Sequence, residues 1–350
     1  MIITSSNENS DIISRKFPVF GLNLCLFVFL LFLAIWCMCV GRYPVTPVES
    51  LRILFGSITG TTGEWDLMTE NVVMGLRLPR ILASILVGGS LAASGSVYQG
   101  IFRNPLVSPD FLGVSSGACI GAAIAILMAL GSAFIQLFAF IGGLVAVALT
   151  LTIPRLLRSN SNIMLVLSGI IVGGLMSSIM GFIKYVADPE TQLAAITYWE
   201  MGSFSYIKLN ALLMITPTIV IPFLVLLRIS WWIDVLSLGE GEAKSLGANV
   251  GRLRVVAIIC ATLLTASSVC ISGTIRWVGL VLPHLGRMIV GPSNTRLLPT
   301  TFLLGGIFML LVDTATRTIA PLEMPISILT GIIGVPFYAW VLYRQRAKLR

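Results

Sequence analysis

Charge is what this chain has least of. Of its 350 residues only 11% are Asp, Glu, Lys or Arg, and there is a single histidine. Soluble domains carry about 25% charged residues, so a water-surrounded globule is excluded. No G-x-x-x-x-G-K-[ST] run occurs, which removes the usual glycine-rich cradle for nucleotide phosphates. C-x-x-C pairs are missing too. Cys25, Cys37, Cys39, Cys119, Cys260 and Cys270 all fall inside apolar runs, where thiols pack as small apolar groups. Nor is there an intramembrane row of Asp, Glu and His of the kind a proton-coupled carrier uses. Asp313 reads as the one acid within or beside a late apolar run, and His284, next to Pro283, as a packing or hinge residue. Neither a metal site nor a cofactor is expected.

What is present is apolar: 56% of the residues are hydrophobic. The net charge of +8 comes from basic residues set singly between apolar runs. They form no patch, so the partner they suit is membrane lipid and not nucleic acid. Uncharged stretches cover 17–40, 81–102, 111–154, 159–183, 209–227, 255–275, 277–290, 297–312 and 324–343. A crossing needs about 20 residues, so 111–154 holds two helices, broken at Leu130-Gly131-Ser132. The fold class expected is an all-α polytopic membrane protein of about ten transmembrane helices. The first stretch is too long for a secretory leader and counts as a span. The eighth is the weakest, interrupted by His284 and Arg287. One membrane domain, 1–350, follows: a first span at 17–40, helices two to six within 76–228, a loop at 229–254, and helices seven to ten within 255–343.

Ten spans put both termini on one side of the membrane. If that side is the cytoplasm, only Arg42, Arg52, Arg77, Arg80, Lys184, Lys208, Arg276 and Arg317 of the 23 basic residues lie outside, as the positive-inside rule requires. The chain would be a multi-pass protein of the cell (inner, cytoplasmic) membrane. Helices two to five then begin outside and seven to ten inside. Arginine-marked outer ends recur in both sets, compatible with an inverted repeat or with coincidence among glycine-rich helices.

Within the second span, Gly88, Gly89, Ala92, Ala93, Ser94, Gly95 and Ser96 place small side chains at i and i+4, where helix backbones approach closely. A helix in the middle of a bundle is expected. Arg77 and Arg80 stand at its entrance, where the start of a helix disfavours cations. Arg317 lies one turn past Asp313, within i, i+4 reach. Two readings stand: local pairing or snorkelling to lipid phosphates, or outward guanidinium forks awaiting carboxylates on a docking partner. On the inner side, Leu238, Gly239, Glu240, Ala243, Leu246 and Gly247 belong to a polar, glycine-bounded segment too short to span. It fits either a short surface helix with Ala243 and Leu246 as apolar contacts or a solvated loop. Met164, Ser168, Gly169, Gly173, Met176 and Ser177 on the fifth helix would suit a path for a bulky cargo.

The stretches RLPRILASILVGGSLAASGSVYQGIFRNPLVSPDFLGVSSGA, LGEGEAKSLGANVGRLR, GTIRWVGLVLPHLGRMIVG and LVDTATRTIAPLEMPISILTGIIGVPFYAWVLYR run in this order from Arg77 to the C-terminus. In them the chain resembles the FecCD-type permeases, the cobalamin, haem and ferric-siderophore branch of ATP-binding-cassette importers. The resemblance implies ten helices per subunit, a second permease subunit (identical or paralogous), two cytoplasmic ATPase subunits and an external lipoprotein or periplasmic binding protein. It further implies that Arg77, Arg80 and Arg317 face glutamates of that binding protein, and that Leu238 to Gly247 rests in a cleft of the ATPase. The chain itself would be no enzyme. A ferric siderophore is the expected cargo, with cobalamin and haem as alternatives. An ion-coupled carrier should instead show buried acids at the midplane, and an intramembrane enzyme a converging catalytic set.

Overall fold

A computed structural model describes residues 19–60, 65–158, 162–319 and 323–347. The starts of the first and fifth expected spans, Phe17 and Ser159, lie outside the described residues, as do Arg15, Lys16, Lys348 and Arg350. In chain order, α1 (Val19–Cys39), α2 (Pro47–Thr59) and α3 (Leu67–Glu70) lead through a π-helical turn (Asn71–Arg77) into α4 (Leu78–Phe102). A 3-10 turn (Pro109–Leu112) precedes α5 (Val114–Leu127), followed by α6 (Ser132–Leu156), α7 (Asn162–Val186), α8 (Gln192–Met201) and α9 (Leu209–Leu238). Then come α10 (Glu240–Ser245), α11 (Val250–Ser272), α12 (Val278–Val290), α13 (Asn294–Thr318) and α14 (Ile326–Ala347). The described residues are all-helical. Seven helices, α1, α4, α6, α7, α9, α11 and α13, are long and apolar enough to cross a membrane.

The second span sits at the centre, and its small residues explain why. An added Cβ on Gly88 would lie 2.2 Å from the Gly305 carbonyl oxygen, and one on Gly95 1.8 Å from that of Gly279. The backbone of α4 therefore touches α13 and α12 directly, the close approach that small residues permit between membrane helices. Its hydroxyls then bond across helices. Ser94 Oγ meets Thr265 Oγ1 at 2.7 Å and the Ala261 carbonyl at 2.9 Å on α11, while Tyr98 meets Thr262 at 2.9 Å. In hydrocarbon such groups must find partners inside the protein.

The structure revises several boundaries. The stretch between the first two spans carries α2, opened by a capping box between Thr46 and Glu49 with Pro47 in the first turn, and closed by left-handed Gly60. The helix of the second span does not start at its arginines. Helical backbone runs unbroken from Leu67 to Phe102, so Arg77 and Arg80 do not stand at a helix N-terminus and the macrodipole argument against them falls. The sixth span continues eleven residues past Leu227 to Leu238, taking the first part of the 229–254 loop into the helix. There the Asp234 carboxylate accepts bonds from the Asn294 backbone N–H at 2.6 Å and from Ser293 Oγ at 2.7 Å, capping the start of α13.

The third and eighth expected spans, α5 and α12, are short, at 14 and 13 residues, which is about 20 Å against a hydrocarbon core of about 30 Å. Each is flanked by long helices: α4, α5 and α6 have 25, 14 and 25 residues, and α11, α12 and α13 have 23, 13 and 25.

Because the α4 contacts are backbone to backbone, Gly95→Val should destabilise the protein by about 1–3 kcal/mol or more. Gly174→Ala, with no atom within 4 Å of the added carbon, should stay within about 0.5 kcal/mol of wild type. Thermal unfolding of the two variants in detergent measures the difference.

Candidate functional site

The three arginines converge at one end of the bundle, called here the arginine end, where the approach of α4 to α13 sets Arg80 against Asp313. Arg80 Nη2 lies 2.8 Å from Asp313 Oδ1, and its Nη1 is 2.8 and 2.9 Å from the two Glu323 oxygens. Arg317 Nε lies 3.2 Å from Asp313 Oδ2. That pair is a charge contact without hydrogen-bond alignment, since neither atom has a hydrogen-bond partner. Asp313 is fully buried between the two guanidinium groups.

Other donors of the cluster reach the C-terminal end of α1 and the turn after it, while Arg317 Nη2 also donates to Thr314 Oγ1 at 3.3 Å. Arg77 donates to the carbonyls of Met38 and Tyr43, and Arg317 to that of Val40 at 3.5 Å. Cations are favoured at a helix C-terminus, where the last carbonyls lack partners, so both arginines stabilise the end of α1. An added Cβ on Gly41 would lie 2.7 Å from Arg77 Nη2, so glycine is what lets the guanidinium reach these carbonyls.

All three side chains are at least nine-tenths buried, yet they line, with Arg42, Tyr43 and Glu323, a cavity of about 230 Å3. Of the two readings from sequence, local pairing is present within the chain, and the cavity leaves one route by which the forks can be reached. Glu323, which the sequence reading passed over, bounds the last apolar run and also accepts from Ser205. Burial alone would raise its pKa. The Ser205 bond and then Arg80 prevail and hold it below the usual glutamate value.

At the opposite end, Leu238 to Gly247 forms a turn and the six-residue helix α10. Ala243 is fully buried, packed with Val235, Leu236, Ala248 and Val250 of its own chain. Leu238 and Leu246 are 64% and 55% exposed, so Leu246 makes the outward apolar surface and Ala243 does not. Glu240 Oε1 pairs with Arg254 at 2.6 Å, and the hydrogen bond from Arg254 lowers its pKa. Gly239 at φ 150° and Gly247 at φ 81° bound the segment in backbone that disfavours side chains.

The six fifth-helix residues, now on α7, divide between two faces. Ser168, Gly169 and Met176 are buried within the chain, and an added Cβ on Gly169 would lie 1.9 Å from the Phe111 carbonyl oxygen. Gly173, with open space around it, and Ser177 face outward, while Met164 is half-buried. Among the described residues no group of three or more His, Cys, Asp or Glu could hold a metal ion.

Comparison with known proteins yields a consistent result. The model of the FecCD transport family matches residues 27–344. The molybdate import system permease protein of Haemophilus influenzae is 39% identical over 94% of this chain and 96% of its own. A provisionally described iron chelatin transport system permease protein of Helicobacter pylori is 37% identical over 84% of this chain and 94% of its own, and the hemin transport system permease protein of Yersinia pestis is 36% identical over 81% and 88%. A solved structure, described provisionally as an inward-facing metal-chelate type ABC transporter, superposes with a TM-score of 0.82 at 37% identity, covering 92% of this chain and 99% of that one.

Removing one partner from a buried ion pair costs about 3–5 kcal/mol, so Asp313→Asn, which takes the buried carboxylate from both Arg80 and Arg317, should lose that much stability in detergent unfolding. Glu323→Gln, at a side chain 40% exposed, should lose about 1 kcal/mol or less. With its pKa lowered, the Glu323 contribution should be complete at neutral pH and vanish only as pH falls through and below the ordinary glutamate range near about 4.3.

Proposed function

Because the chain belongs to the FecCD transport family, we propose that it is the membrane-spanning permease subunit of an ATP-driven importer, fed by an external binding protein and powered by separate cytoplasmic ATPase subunits. The observation that carries this is the polarity of the molecule. A cavity lined by arginines lies at one end and a small exposed turn at the other, joined by a bundle whose central helix is packed backbone to backbone. In this reading the arginine end faces outward, both termini are cytoplasmic, and the matched helix lengths around α5 and α12 are the trace of an inverted repeat. A second permease copy or paralogue completes the translocation path, with the outward face of α7 around Gly173 and Ser177 toward it.

Docking then works by exchange. The arginine forks are already occupied, Arg80 by Asp313 and Glu323, so a carboxylate of the binding protein competes with Glu323, the exposed member of the cluster. Arg77 and Arg317, which line the same cavity, add long-range attraction. At the inner face, Leu246 and Leu238 supply the apolar contact for the ATPase, while Gly239, Glu240, Ala243 and Gly247 hold the turn that presents them. The cargo proposed is a ferric siderophore, with cobalamin or haem carried the same way. The molybdate permease among the relatives supports a small oxyanion as the second reading.

Two measurements test this. Glu323→Gln frees Arg80 and should tighten binding of the external protein several-fold by surface plasmon resonance; unchanged or weaker binding would remove Arg80 from the docking site. Leu246→Asp should abolish cargo-stimulated ATP hydrolysis in the assembled transporter, since an unpaired charge in an apolar contact costs several kcal/mol. Normal stimulation would show that another segment couples the ATPase.

A further inference from the structure

The chain between α4 and α5 does not stay at the membrane surface. An added Cβ on Gly279 would lie 2.7 Å from Pro109 Cδ and 2.9 Å from the Leu91 carbonyl oxygen, and Leu91 is eleven residues, about 16 Å, from the end of α4 at Phe102. The Phe111 carbonyl packs on Gly169, seven residues, about 10 Å, inside α7. Thr150, six residues inside α6, donates to the Leu112 carbonyl. Residues 103–113 thus re-enter the bundle and set Asp110 at roughly the middle of the membrane. From the other end, 273–277 dips inward until Trp277 meets Gly334, eight residues inside α14.

Asp110 and the neighbouring Arg276 are both exposed on the protomer surface. The contact of Pro109 with Gly279, three residues past Arg276, brings Asp110 and Arg276 into the same region of the bundle. Ser115 donates to Asp110. A polar seam continues toward the arginine end. Lys184 pairs with Glu200, Thr274 donates to the Glu200 carbonyl, and Ser327 donates to that of Thr274. Irregular backbone and exposed charge at this depth are tolerated only against protein or a water-filled cavity, never against lipid.

We propose that Asp110 and Arg276 line a water-filled cargo passage at the middle of the membrane, with Arg276 taking the anionic oxygens of a metal chelate or oxyanion and Asp110 serving as its counter-ion between passages. The counter-ion keeps the site weak: cargo must displace Asp110 to bind and is displaced by it on leaving. The sequence expectation of a path on the fifth helix alone is thereby extended to the two re-entrant segments. This inference rests on the importer reading of the preceding section.

The test uses the complete transporter in lipid vesicles, with Asp110→Cys, Arg276→Cys and the milder Ser115→Cys each compared with the parent protein. A charged, water-soluble methanethiosulfonate should label all three at least tenfold faster than the parent. Labelling by an apolar maleimide alone would place them in lipid, and labelling by neither would seal them against the second permease; either result overturns the proposal. In the second arm, Arg276→Gln should lower uptake of ferric citrate or molybdate, whichever the parent carries, at least tenfold with ATPase assembly intact. The charge-exchanged pair Asp110→Arg/Arg276→Asp should stay impaired; restored uptake would make the two residues a structural pair and overturn the anion assignment. If the parent carries neither of these probes nor a ferric siderophore, haem or cobalamin while the labelling succeeds, the importer reading fails and the passage stands.

Discussion

The contact of Gly88 with Gly305 is the constraint from which the rest of the molecule follows. With no side chain on either residue, α4 and α13 meet backbone to backbone, and only at that separation does Arg80 join Asp313, which Arg317 already faces from the next turn of α13. The same helix touches α12 through Gly95 and bonds to α11 through Ser94 and Tyr98. Apolar side chains give no advantage to helix association inside hydrocarbon. Shape and a few hydroxyl bonds must do the work, and small residues are what make that shape.

The buried triad ties the arginine end to the bundle. Asp313 on α13, Arg80 on α4 and Arg317 near the end of α13 share one charge system, and Arg77 and Arg317 both grip the last carbonyls of α1. A perturbation that draws Arg80 toward an external carboxylate therefore pulls on two long helices at once. Such coupling through packed, bistable elements is how a small shift at one site becomes a larger rearrangement elsewhere.

Much of this was legible in the sequence. The second span's central place could be read from its glycines and serines, the break at Leu130-Gly131-Ser132 from turn chemistry, and the pairing of Arg317 with Asp313 from their i, i+4 spacing. Other features could not be read, for physical reasons. Charge-counting ends a helix at Arg228, although α9 continues to Leu238 because Asp234 is satisfied by capping α13. Arg77 resembles the start of a helix because Pro79 follows it, but a π-helical turn carries the backbone through. The re-entry of 103–113 left no trace in hydropathy. Its polar residues look like any loop, and only the shortness of α5 and the contact of Pro109 with Gly279 reveal its depth. Glu323 is one acid between two prolines, and its partner Arg80 lies far away in the chain.

The central claim is that this chain opens a passage driven by partners and has no ion-coupled engine of its own. The most direct measurement reconstitutes it in vesicles with its ATPase and its external binding protein and follows radiolabelled ferric chelate or molybdate entering the lumen. The account predicts accumulation that needs ATP and all three components and is indifferent to proton or sodium gradients. Accumulation by the permease alone, driven by an ion gradient without ATP, would contradict it.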